Sequence, residues 1–174
     1  MKKYSQLLVL LIVVLFVVEF SGCGYKPSST YSRVIVGDKI STSVVISAQD
    51  PENTVLIKDA VDRAVIEVFR ASLVDEKYAT THLTFSISEP TYTPIQYEQD
   101  GFVIAYRARI TLSIVRESKD TKKNYTSIGT YDFSVTPYAV ITDQERFDAI
   151  RYSSQKAILS FIAKVSAEGS RVGE

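Results

Sequence analysis

The sequence predicts an α+β two-layer sandwich, a four-stranded sheet with two helices on one face, in the order β-α-β-β-β-α. Three observations carry this. Ile57, Ala60, Val61, Ala64, Val65, Val68 and Phe69 recur at helical spacing and form one apolar stripe. Between His82 and Val135 the period of the apolar residues changes from 3.6 to 2. A second helical stripe then follows the sequence Thr142-Asp143-Gln144-Glu145, a capping box.

The chain opens with a segment that does not belong to this fold. Met1-Lys2-Lys3 is a basic start, and the apolar run Leu7 to Val18 is roughly 12 residues where a membrane-spanning helix needs about 20. Small residues Ser21 and Gly22 then precede Cys23, the only cysteine of the 174 residues. With no second cysteine an intramolecular disulfide is impossible, and the context is that of a lipoprotein signal peptide cleaved before Cys23. Residues 1–22 are therefore expected to be removed and Cys23 to be acylated, more than one chain being needed for stable anchoring. Gly24 stands where lipoproteins retained in the inner membrane often carry Asp, which points to the outer membrane. Residues 23–40, with Pro, Gly, Ser and a short apolar patch Val34-Ile35-Val36, read as a lipidated tether.

Residues 41–168 are expected to be a single domain. The roughly 150 residues left after cleavage suffice for one core. Thr42 to Ala48 is β-branched and bounded by Asp50-Pro51, a strand followed by a helix start. After the first helix, Leu83, Phe85 and Ile87 alternate with polar residues until Pro90 breaks the run. Phe102, Ile104, Tyr106, Ala108, Ile110, Leu112 and Ile114 form one side of a second strand. Tyr125, Gly129, Tyr131, Phe133 and Val135 form one side of a third, and the three read as an antiparallel meander. The charged stretch Glu117 to Asn124 is expected as a solvated hairpin loop. Phe147, Ile150, Ser154, Ala157, Ile158, Phe161 and Val165 share one face of the closing helix, and residues 169–174 read as a frayed tail.

Composition excludes several function classes. Without the signal segment the net charge is about −1, so bulk charge does not attract nucleic acid. One His, one Cys and no Trp leave the common metal and nucleophile sets nearly empty, and no Gly-x-Ser-x-Gly elbow, HExxH or phosphate loop is present. No enzyme, cofactor or metal is expected. The lone His82 lies on the polar side of its strand, solvated or facing a partner. The polar side of the meander is rich in hydroxyls, at Thr84, Ser86, Ser88, Thr111, Ser113, Thr126, Thr130 and Ser134. Such a face suits plain water or the polar wall of a barrel lumen. Arg107 and Arg109 share a strand face, with Arg116 near its end; they suit phosphate or carboxylate groups, or a cross-strand pair with Asp132. Lys119, Lys122 and Lys123 crowd one hairpin, as a solubilising cluster or a contact to polar lipid. Tyr92, Tyr97 and Tyr138 are expected in loops next to Pro90, Pro94 and Pro137, as interface residues or as packing over the sheet ends.

Four segments together resemble the LPS-assembly lipoprotein family, LptE. They are the Cys23-Gly24-Tyr25 start, the strand and helix SVVISAQDPENTVLIKDAVDRAVIEVF, the long strand VIAYRARITLSIV and the closing helix FDAIRYSSQKAILSFIAKV. The resemblance implies the lipoprotein subunit of the outer-membrane lipopolysaccharide translocon, a plug in the lumen of a large β-barrel of LptD type that assists barrel assembly and lipopolysaccharide delivery. Arg107, Arg109, Lys119, Lys122 and Lys123 are the candidate contacts to barrel or lipopolysaccharide. The rival reading is a lipoprotein adaptor for another envelope machine, such as a peptidoglycan synthase. It calls for a long linker, whereas about 18 residues separate Cys23 from the first expected strand, at most roughly 60 Å.

Overall fold

The computed structural model describes residues 28–45, 51–119 and 121–172. The expected signal peptide and Cys23 lie outside these residues. The elements are α1 (Ser28–Val36), β1 (Lys39–Val44), α2 (Pro51–Glu67), β2 (Ser72–Leu73), β3 (Thr81–Ile87), β4 (Thr91–Tyr97), β5 (Val103–Ser118), β6 (Thr121–Ser134) and α3 (Asp143–Val172), with a 3₁₀ turn at Glu76–Tyr78.

The sheet is organised by β5. One of its edges pairs antiparallel with β6 from Ala105↔Ser134 to Ser118↔Thr121. Its other edge pairs with β3 over Leu112–Ser118 and then with β4 over Val103–Arg109. Strands β3 and β4 are thus one line interrupted at Ser88-Glu89-Pro90, where Ser88 N donates to Thr111 O and Thr111 N donates to Ser88 Oγ. Strand β1 runs parallel to β3, with α2 in the crossover, and β2 adds a short parallel edge.

The sheet therefore has six strands among the described residues, not four. Strand β4 is missed by sequence because Pro90 and Pro94 read as loop. Pro94 is tolerated because β5 is the only pairing partner of β4 among the described residues, so a missing N–H on the other edge costs nothing. The expected loop at Glu117–Asn124 is likewise paired strand, with Glu117↔Lys122 and Val115↔Asn124 opposite one another. Opposite charges across the ladder extend it almost to the tip. Strand β1 starts three residues earlier than expected; residues 46–50 lie outside the description.

Among the described residues there are three helices instead of two. The apolar patch Val34-Ile35-Val36, expected in a tether, ends helix α1, and Val36 is fully buried. Ser32 Oγ shares a hydrogen bond with Ser166 Oγ of α3 at 2.7 Å. Gly169 makes this contact possible, since a Cβ there would lie 1.9 Å from Tyr31 O. Helix α3 stays buried as far as Gly169 and continues to Val172, into the expected frayed tail.

Helices α2 and α3 cover one face, as expected, and enclose the core. Phe161 is its centre, 1% exposed, with edge-on rings of Phe69 at 6.2 Å, Phe85 at 5.8 Å and Tyr125 at 5.4 Å. The helix lies directly on β6, where a Cβ on Gly129 would meet Ser153 O at 1.8 Å. Arg116 corrects the sequence reading: it projects into this helix layer, opposite to Arg107 and Arg109 in strand parity, and is 8% exposed. Its Nη1 donates to Ile35 O at the end of α1, where a cation meets the negative helix terminus. The capping box forms as read, with Glu145 N donating to Thr142 Oγ1 at 3.2 Å and Thr142 N donating to Glu145 Oε2 at 2.7 Å.

Two outcomes follow from this packing. Phe161→Ala should destabilise the domain by about 3–5 kcal/mol, read as a shift in the urea midpoint, because it removes the ring that three others contact. Gly129→Ala should cost at least about 1–3 kcal/mol, because the obstructing atom is backbone that cannot rotate away.

Candidate interaction surface

The period-2 pattern sends the other side chains of the sheet to a face that carries no helix among the described residues. Thr84, Ser86, Thr111, Ser113, Thr126, Thr130 and Ser134 lie there together, as the alternation predicts. Ser88 does not join them; it bridges the break between β3 and β4. Ser41 and Ser43 of β1 extend the hydroxyl surface. They hold the ring of His82 from both sides, with Ser41 Oγ 2.7 Å from Nδ1 and Ser43 Oγ 3.0 Å from Nε2. His82 thus serves a hydroxyl network, and no cluster of three or more metal-ligating side chains occurs among the described residues.

The five candidate cations are not brought into one site. Arg107 forms a two-pronged pair with Asp132, directly opposite on β6, at 2.7 Å from Nε to Oδ1 and 2.7 Å from Nη2 to Oδ2. The hydrogen bond raises the Arg107 pKa and lowers that of Asp132 from their ordinary values. Arg109, one step along the same face, is exposed and has no ion pair among the described residues. Lys122 sits about 26 Å farther along the sheet, eight residues of strand away, and pairs with Glu117 at 2.6 Å. That pair draws the Glu117 carboxyl below its ordinary range. Lys119, at the tip, is exposed.

Lys123 points to the opposite face. It reaches Glu168 of α3 at 2.7 Å, and Tyr125 Oη donates to the same carboxylate oxygen at 2.9 Å. Burial pushes the Tyr125 phenol up to about 12, reinforced by its bond to Glu168. Burial also raises the Glu168 carboxyl, but the bonds from Lys123 and Tyr125 outweigh it and leave the group below its ordinary value. This triad ties the end of α3 to the tip end of the β5–β6 hairpin. Sequence does not reveal it, because its members lie 43 and 45 residues apart with no shared period.

Aromatic residues collect at the other end of the sheet. Tyr92 is half-buried, edge-on to Phe133 at 6.2 Å, with Arg146 over its ring. Tyr97 and Tyr138 are exposed; Tyr138 adopts φ 66 and packs on Phe102 at 4.0 Å between ring centroids.

Residues 41–165 match the family model LptE: Lipopolysaccharide-assembly. This chain belongs to the LptE family. The match covers well over half of the chain, including most of β1, all of α2, the whole meander and α3 as far as Val165. The LptE family is thus an assembly family, and no helix among the described residues is long and apolar enough to cross a membrane. Similar solved structures include rare lipoprotein B from Shewanella oneidensis (14% identity, TM-score 0.48), matched over 75% of this chain and 97% of that one. A lipoprotein from Caulobacter crescentus is similar at 14% identity and TM-score 0.49, over 83% and 96% of the two chains. A comparison with curated proteins finds no match.

The triad sets a pH dependence. The Glu168 carboxyl is depressed in the folded chain, so its contribution is present above the ordinary carboxylate range and is lost as pH falls through the lower folded value. Glu168→Gln should therefore lower the melting temperature near neutral pH and narrow its gap to the parent chain in acid, measured by thermal melts from pH 7 to pH 3.

Proposed function

We propose that this member of the family is an outer-membrane lipoprotein, acylated at Cys23, that plugs and assists assembly of a lipopolysaccharide-export β-barrel of LptD type. The observation that carries the reading is the sheet covered by helices on one side and lined with hydroxyls on the other. A lumen wall is polar, and hydroxyls can exchange water for wall groups without stranding a charge. Arg109 and Lys119, free of ion pairs among the described residues, are then the cations most available to lipopolysaccharide phosphates, whereas Arg107, Lys122 and Lys123 must first give up carboxylate partners.

The position of α1 supports work close to the membrane. It begins at Ser28, five residues after Cys23, so the reach from the proposed anchor to folded structure is at most about 18 Å. An adaptor that crosses the periplasm needs a longer linker, which weighs against the peptidoglycan-synthase reading.

The test is to tag the carboxyl end, isolate the protein from outer membranes in mild detergent and identify what stays bound. A stoichiometric large β-barrel is expected, together with loss of membrane attachment in Cys23→Ala. Recovery of a peptidoglycan synthase, or of no barrel, would contradict the proposal.

A further inference from the structure

The sheet has unequal edges. At one side the last strands are short, six residues in β1 and two in β2. The outer edge of β4 is interrupted by Pro94 and by register shifts at Gln96 and Tyr97. Both are usual ways of keeping a sheet from pairing with another chain. Strand β6 has neither: its 14 residues contain no proline, its register with β5 is unbroken, and β5 is its only partner among the described residues. The charges of the strand itself offer no guard either. Lys122, Lys123 and Asp132 are each held in an ion pair within the chain, which leaves Asn124 to Tyr131 as an uncharged run. The cation that does reach this edge is Lys164 of α3, whose Nζ donates to Thr126 O and must release it for a strand to pair there.

Ser88 N bonds Thr111 O, so the odd peptide groups of β5 in this region face β3 and β4, and Ile110 and Leu112 face β6. Their opposites Gly129 and Ser127 therefore point inward, and Thr126, Ile128 and Thr130 direct both N–H and C=O outward. Lys164 Nζ on Thr126 O agrees with this.

We infer that the β6 edge is a docking site for one extended segment of a partner protein, added as a further strand. Helix α3 decides the kind of occupant. It rests directly on β6 at Gly129, so a second copy joining β6 to β6 would set two helices over strands only about 4.8 Å apart, where packed helices need about 8–10 Å. A strand without its own helix layer meets no such obstacle. A closed barrel wall has no free edge to offer, so the segment is a loop or tail of the partner. The choice of a loop or tail rests on the barrel proposed above; the free edge of β6 does not, because it concerns the backbone of β6 alone.

Amide hydrogen exchange on the full mature chain, read residue by residue, tests it in native outer membranes and again after detergent purification to the isolated chain. Thr126, Ile128 and Thr130 should exchange at least about 100-fold more slowly in membranes than in the isolated chain, while Ser127 and Gly129 stay protected in both. Equal rates at the three outward amides in the two states would overturn the inference. Ile128→Pro removes an outward N–H and no internal ladder bond, so it should keep the melting temperature within a few degrees yet abolish the membrane protection at Thr126 and Thr130. Persistence of that protection in Ile128→Pro, or a dimer of the isolated chain with protected β6 amides, would also count against it.

Discussion

The seating of α3 on β6 is the contact on which the rest of the structure depends. At Gly129 the helix backbone occupies the space that any side chain would need. That approach brings Phe161 down among Phe69, Phe85 and Tyr125, and it carries Glu168 to Tyr125 and Lys123. It also confines the helices to one side. A thirty-residue helix held this closely over the last strand leaves the other face of the sheet to hydroxyls and ion pairs.

The division of faces separates stability from interaction. On the helix side lie the aromatic centre, the buried Arg116 and the triad near the hairpin tip. Changes there should be felt first as stability, because large buried rings and close backbone contacts dominate the cost. On the other side, Arg107 and Asp132 are both about half exposed, so their pair adds little to folding and is available for exchange with an external partner. Membership of a lipopolysaccharide-assembly family fits a molecule organised in this way.

Much of this was legible in the sequence wherever one period ran long enough. The stripe from Ile57 to Phe69, the alternation in β5 and the capping box at Thr142 each appear as read. What escaped depended on tertiary context. Helix α1 is short, and its Val36 gains meaning only from burial in the core. Strand β4 contains a proline that only an edge accepts. Arg116 shares a strand with Arg107 and Arg109 but not their parity, and grouping the three by residue type hid its role at the end of α1. The lysine cluster separated for the same reason: Lys122 and Lys123 are neighbours in sequence and lie on opposite faces.

We propose that the sheet face without a helix among the described residues meets a barrel partner. Photo-crosslinking residues placed singly at Ser113 and Thr126 on that face, and at Asp59 and Ile66 on the exposed side of α2, test it most directly in intact cells. Adducts with the proposed barrel are expected from Ser113 and Thr126 and none from Asp59 or Ile66. Barrel adducts from the helix positions, with none from the sheet face, would contradict it.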